Sequence, residues 1–147
     1  MKAILHKILS GLCFVLFSAL ALVVLWQVVS RYVLSSPSSA SEEIARICLM
    51  WLGLLGASYA HLDDKHIAIK LLPDIAPKER DTISRLLCQI FAVVLVIGGG
   101  KLCLSTLELH QTTPVLGLPV GLVYSVLPLS GLLLSVANYL HLSENKA

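Results

Sequence analysis

The side chains best suited to chemistry are few, and three of them gather within five residues: Glu42, Glu43 and Arg46. Glu42 and Arg46 are four apart, a spacing at which opposite charges meet on one helix face. Carboxylates in a first helical turn also face the positive end of the helix dipole. Such a trio can fix helix entry, contact a partner or relay a proton. A relay needs a second buried acid, and none lies deeper in the apolar run that follows. A structural or subunit-interface role is expected. Lys101 interrupts another apolar run roughly 22 Å beyond Leu86 at 1.5 Å per residue. There it can snorkel to the membrane boundary and meet lipid phosphate or a partner. His61, His66 and His110 are scattered, without carboxylates at ligand spacing, so no metal site is expected. Cys13, Cys48, Cys88 and Cys103 form no C-x-x-C pair and read as small buried apolar residues. No cofactor and no catalytic residue is expected.

The elements that must position these groups follow from how charge is distributed. Of the 147 residues, 56% are hydrophobic and 14% charged, against about 25% charged in an ordinary soluble domain. Four stretches hold no Asp, Glu, Lys or Arg: Ile8–Ser30, Ile47–Ala60, Leu86–Gly100 and Leu109–Ser143. Helices of a soluble bundle need a polar face, and these have none. A membrane span needs about 20 mostly apolar residues. Fourteen Leu, Ile, Val and Phe in the first stretch contribute roughly −4 to −8 kcal/mol to insertion. Lys2 and Lys7 as a basic start, with Ala19-Leu20-Ala21 as a small-residue cleavage site, could also read as a signal peptide. The run continues to Val29, so a retained anchor is expected.

The reading is therefore an all-α integral membrane protein, one membrane domain over 1–147, with spans at about 8–30, 43–62, 84–107 and 120–142. Ser39 followed by Glu42, or Ser41 itself, marks the start of the second helix. Pro77 suits the first turn of the third. Pro114, Gly117 and Pro119 place a loop before the fourth, and Pro128 predicts a kink inside it. Between spans two and three, His66, Lys70, Asp74 and Lys78 recur every four residues opposite Ile67, Leu71 and Ile75. That pattern predicts a short amphipathic helix lying in the membrane surface, stopped at Pro73. Gly53, Gly56, Ala57 and Ala60 make a stripe of small residues, which lets helices approach closely in lipid. The spacing does not say whether the neighbour is internal or another subunit. The glycines Gly98-Gly99-Gly100 predict close packing on the third span.

Lys and Arg counts orient the chain. With the N-terminus inside, eight basic residues are cytoplasmic (Lys2, Lys7, Lys65, Lys70, Lys78, Arg80, Arg85, Lys146) and three are outside (Arg31, Arg46, Lys101). Both ends are expected in the cytoplasm. A net charge of +2 is too small to point to nucleic acid. A transporter working alone would place an acid or a broken helix near the midplane. Here the first span holds only Gln27, near its outer end, and the other centres are apolar or glycine. The chain should have a partner. A membrane thiol oxidase would need paired cysteines in outer loops, which contain none; a lone exporter would need the missing acid. A scaffold subunit of some membrane complex fits.

Several motifs carry a resemblance. Arg31-Tyr32 ends the first span; Glu42-Glu43-Ile44-Ala45-Arg46 precedes Trp51-Leu52-Gly53 and Gly56-Ala57; His66-Ile67 follows the second span. Thr113-Pro114-Val115-Leu116-Gly117-Leu118-Pro119 leads to Tyr124 and Leu127-Pro128-Leu129-Ser130-Gly131. In this order and spacing the chain resembles the small permease subunits, DctQ type, of tripartite ATP-independent periplasmic (TRAP) transporters. It departs at Lys70, where the family often has an acid, and near Gly121-Leu122, where it often has a Trp. The resemblance implies a subunit of a sodium-coupled importer of organic acids that braces a large membrane permease. It implies a periplasmic solute-binding protein as transient partner. Glu43 and Arg46 become candidate subunit contacts, and Arg31 with the Pro114–Pro119 loop becomes a periplasmic docking surface.

Overall fold

The computed structural model describes residues 2–36, 38–62 and 77–144. Its helices are α1 (Lys2–Tyr32), α2 (Ser39–Leu62), α3 (Pro77–Glu108), α4 (Val120–Tyr124) and α5 (Val126–Glu144). Among the described residues, four stretches are long and apolar enough to cross a bilayer: Ile4–Tyr32, Ser39–Leu62, Thr82–Glu108 and Val120–Leu140. His66 and the expected surface helix around it lie outside the described residues.

Helix ends follow local chemistry. α1 closes with Ser35 in the left-handed region (φ 50°), and the Ser30 hydroxyl donates to the Ser36 carbonyl at 2.6 Å. The Ser38 hydroxyl accepts the Ser41 N–H at 3.4 Å, capping α2 one residue earlier than the Ser39 signal implied. α3 begins at Pro77, where a missing N–H costs nothing. It ends with His110 at φ 49°; His110 N–H donates to the Leu107 carbonyl (3.0 Å) and Gln111 N–H to that of Thr106 (3.1 Å). This is the paired closure of a Schellman end, with histidine where glycine is usual.

The fourth span is broken where Pro128 requires it. Proline offers no N–H to the turn before it and crowds the carbonyl four residues back. Ser125 separates α4 from α5, its φ of −59° and ψ of −21° keeping the chain on a helical course. Its hydroxyl and N–H both turn back to the Leu122 carbonyl, at 2.7 and 3.3 Å.

The helices form an open row rather than a closed bundle. α1 packs on α2, α2 on α5 and α5 on α3, while α4 lies on α3; no other pair of these helices packs extensively. A core of Leu9, Leu55, Leu62, Val126 and Ala137 threads α1, α2 and α5. The end helix α1 is the least covered: 6% of its most apolar stretch is buried within the protein, against 33% for the last span. Phe14, Phe17, Leu22, Leu25 and Trp26 are all exposed. In lipid this is permitted, because apolar side chains have nothing to gain by hiding.

Two devices hold α3 to α5. One is close approach at glycine. A Cβ on Gly99 would stand 2.5 Å from Leu127 Cβ and 3.1 Å from Pro128 Cδ, and one on Gly131 would stand 2.7 Å from the Ala92 carbonyl oxygen. The expected packing of the Gly98-Gly99-Gly100 run thus falls on Gly99; a Cβ on Gly98 or Gly100 meets nothing within 4 Å. The other is a polar pin. Asn138 Nδ2 donates to Gln89 Oε1 at 2.9 Å and to the Arg85 carbonyl at 3.3 Å, and Gln89 Nε2 donates to Ser135 Oγ at 3.4 Å. Such bonds between spans contribute about 0.6 kcal/mol each on average.

Candidate functional site

The residues that could do chemistry converge where α2 meets the 109–119 loop. The loop is a small closed hairpin. Thr112 and Pro119 bridge across it, Thr113 N–H donates to the Leu118 carbonyl (2.8 Å), and Val120 N–H to that of Gln111 (2.9 Å). Gly117 turns the chain at φ +65°, where a side chain would be strained. The Thr113 hydroxyl accepts the Leu118 N–H at 3.0 Å. Closing the loop in this way leaves the Val115 N–H pointing out of it.

Glu43 takes that N–H. Its Oε2 accepts from Val115 at 3.0 Å, and the Thr113 side chain, the Leu116 N–H and the Arg46 guanidinium face the same carboxylate. Only 8% of the Glu43 surface is exposed. Oε1 is buried and makes no hydrogen bond among the described residues. Helix and loop are thereby joined by one carboxylate 72 residues away in sequence. About two turns deeper the same helix meets the element that follows the loop: the Trp51 indole N–H donates to the Val123 carbonyl at 3.1 Å. Val123 lies in α4, just before the break at Ser125. An indole N–H within an apolar span needs an acceptor, and the interrupted helix supplies one.

Between helix and loop lies a cavity of about 440 Å³. Glu42, Glu43 and Arg46 line it beside Thr113, Pro114 and Val115, and Ile47, Met50, Val123 and Tyr124 form its apolar part. Charge of both signs therefore sits at its polar end and hydrocarbon at the other.

The remaining sequence-predicted residues stand elsewhere. Arg31 is exposed in the last turn of α1, where a cation suits the dipole. Lys101 is exposed on α3, opposite the face that Gly99 and Ala92 present to α5. Gly53 and Ala57 are exposed and Gly56 is half-buried; a Cβ on Gly53 or Gly56 meets nothing within 4 Å. Among the described residues, nothing lies within reach of a side chain at Gly53 or Gly56. Pro119 belongs to the hairpin bridge and Pro128 packs under Gly99. Among the described residues no three His, Cys, Asp or Glu side chains gather as a metal site requires. The four cysteines are free.

Sequence reasoning missed Thr113 and Tyr124 as parts of the cavity, and it missed the Gln89–Asn138 pin. Trp51 carried a signal: it lies well inside a span, whereas Trp favours the interface. Gln89 and Asn138 are amides inside apolar runs, which in lipid points to an interhelical bond.

Comparison with known proteins agrees with this architecture. The profile of the family described as tripartite ATP-independent periplasmic transporters, DctQ component, matches residues 20–144. A Haemophilus influenzae protein whose name carries the words TRAP transporter small permease protein is 30% identical over 133 residues, 88% of this chain and 82% of that one. The sialic acid TRAP transporter small permease protein SiaQ of Vibrio cholerae is 36% identical over 83 residues, 56% of this chain and 47% of that one. The sialic acid TRAP transporter permease protein SiaT of H. influenzae is 30% identical over 81 residues, 55% of this chain but 13% of that longer one. The protein is thus a multi-pass inner-membrane transport component and not an enzyme. The chain belongs to the DctQ family, the small permease component of tripartite ATP-independent periplasmic transporters.

Proposed function

We propose that this chain braces the large permease subunit of a sodium-coupled importer of organic acids and conducts nothing itself. The observation that carries the reading is the open row of helices. A solute path needs walls on all sides, and intramembrane ionisable groups mark ion and proton routes. A row one helix thick offers no lumen. Among the described residues its buried ionisable groups, Glu43 and His61, stand at the two ends of α2, and the other buried polar groups at depth (Ser58, Ser130, Asn138) are uncharged. The match of this chain to a segment of the longer SiaT permease protein supports a close association between small and large permease parts. The names of the Vibrio and Haemophilus relatives favour an acidic sugar or another organic acid as solute.

Within this reading residues 1–147 are one membrane domain with both ends in the cytoplasm, supported by the eight-to-three bias of basic residues. The large subunit packs on the outward small-residue stripe of Gly53, Gly56 and Ala57. Arg31 and the Pro114–Pro119 hairpin face the periplasm, where a solute-binding protein docks transiently, and Lys101 reaches lipid phosphate. Glu43 and Arg46 hold the docking end in shape.

The test is reconstitution. Proteoliposomes holding this chain alone take up no solute; adding the large subunit and the binding protein restores sodium-dependent uptake. Uptake by the chain alone overturns the reading. Arg46→Ala lowers complex yield or transport without changing solute preference. A changed preference at full complex yield also overturns it.

A further inference from the structure

We propose that the 109–119 hairpin is an interfacial anchor that lies in the headgroup layer of the bilayer, admitted there by the Glu43 carboxylate. The side chains point first. From Leu109 to Pro119 there is no Asp, Glu, Lys or Arg, and Leu109, Val115 and Leu118 are exposed at 68, 47 and 43%. Hydrocarbon standing in water is costly, and a lipid surface removes that cost. The flanking helices carry exposed leucines up to both ends of the loop, Leu107 on α3 and Leu122 on α4. The loop therefore continues a surface that already faces lipid. The backbone points the same way. Irregular chain approaches a membrane only where its polar groups are satisfied. Every N–H from Leu109 to Val120 except that of Thr112 has an acceptor within the protein. Helix end and hairpin supply most of these acceptors, and the Val115 and Leu116 N–H groups turn to Glu43. One carboxylate thus serves two amides that would otherwise require water.

The same contact sets the depth. α2 has 24 residues, about 36 Å at 1.5 Å per residue, against about 30 Å of hydrocarbon. Centred in the bilayer, it protrudes about 3 Å at each end. Glu43 stands four residues in from Ser39, about 6 Å from the helix end and so at the hydrocarbon boundary. Val115, bonded to it at 3.0 Å, is held at that level. The hairpin leans over the end of α2 instead of projecting beyond it. The carbonyls of Pro114, Val115 and Leu116 accept no hydrogen bond among the described residues. They need the donors of the headgroup layer, which keeps the loop from sinking into hydrocarbon. A loop built to receive another chain would leave N–H groups or charges free to pair with it; this one has almost none of the first and none of the second. Which leaflet is involved rests on the orientation proposed above, but the depth does not.

The test attaches a nitroxide at Leu118→Cys, and in a second chain at Val115→Cys, in the full-length protein with its four native cysteines replaced by serine. The chains are reconstituted in liposomes with a nickel chelate on both sides, so the readout is independent of orientation. Oxygen, which concentrates in lipid, relaxes both nitroxides faster than the water-soluble chelate does, as it also does at Leu104→Cys on the exposed face of α3. Free nitroxide in buffer shows the opposite order. With Glu43→Ala added, the two amides lose their acceptor, the loop lifts toward water and the chelate overtakes oxygen at Leu118. Three results overturn the proposal: the chelate leading in the parent chain, which puts the hairpin in water; both reagents slow, which puts it against protein; or oxygen still leading in Glu43→Ala, which removes the role of the carboxylate. Leu118→Trp in the chain with its cysteines intact gives a second reading. Its added fluorescence is quenched by lipids brominated near the headgroup and not by aqueous iodide; the reverse overturns the proposal as well.

Discussion

Three consecutive glycines should respond to the same substitution with opposite signs. In Gly99→Ala the new methyl would lie 2.5 Å from Leu127 Cβ and 3.1 Å from the Pro128 ring and nitrogen. Leu127 Cβ is anchored to backbone, so no rotamer change relieves the clash. Carbon atoms settle at about 3.5–4.0 Å, so α3 and α5 must part by roughly 1 Å at this crossing. Overpacking of that kind costs about 1–3 kcal/mol. Gly98→Ala and Gly100→Ala place their methyl where nothing lies within 4 Å. They gain the roughly 0.5–1 kcal/mol by which alanine outdoes glycine inside a helix. Gly99→Ala should therefore fall about 1.5–4 kcal/mol below its two neighbours. Unfolding of the purified chain by SDS or heat, followed through tryptophan fluorescence, measures the difference. If all three variants shift stability in the same direction by similar amounts, the α3–α5 packing described above is wrong.

Further outcomes rest on other contacts. Trp51→Phe leaves the Val123 carbonyl without its donor and lowers stability by about 0.5–1.5 kcal/mol in the same unfolding assay. Asn138→Leu and Gln89→Leu each loosen α3 from α5, and a double-mutant cycle finds a coupling near 0.6 kcal/mol; no coupling would refute the pin. Glu43→Ala frees the Val115 amide, so hydrogen exchange at Val115 accelerates while that at Thr113, bonded within the hairpin, stays protected. Gly53→Ile leaves the isolated chain as stable as before, because a side chain there meets open space, but reduces co-purification with the large subunit.

Much of this architecture is legible along the chain because hydrocarbon imposes a one-dimensional rule. Four runs without charge, the two shorter ones lengthened by their flanks and the longest shortened by a loop, become four spans whatever their neighbours are. Proline removes a donor wherever it stands, so the break before Pro128 and the start at Pro77 could be read locally. The cluster of Glu42, Glu43 and Arg46 was visible for the same reason, since ions inside an apolar chain are rare. The partner of Glu43 was not visible. Val115 lies 72 residues away, and its N–H is available only because the hairpin closes around Thr113 and Gly117.

Which helix lies beside which was decided by tertiary structure alone. Spans that are apolar all round carry no stripe to name their neighbour, and lipid satisfies any face as well as another helix does. Gly98, Gly99 and Gly100 are identical in sequence, yet only Gly99 meets α5 within contact distance. The row of α1, α2, α5 and α3 arises instead from steric fit at glycine and from a few directional bonds, and these take effect only once the helices stand side by side.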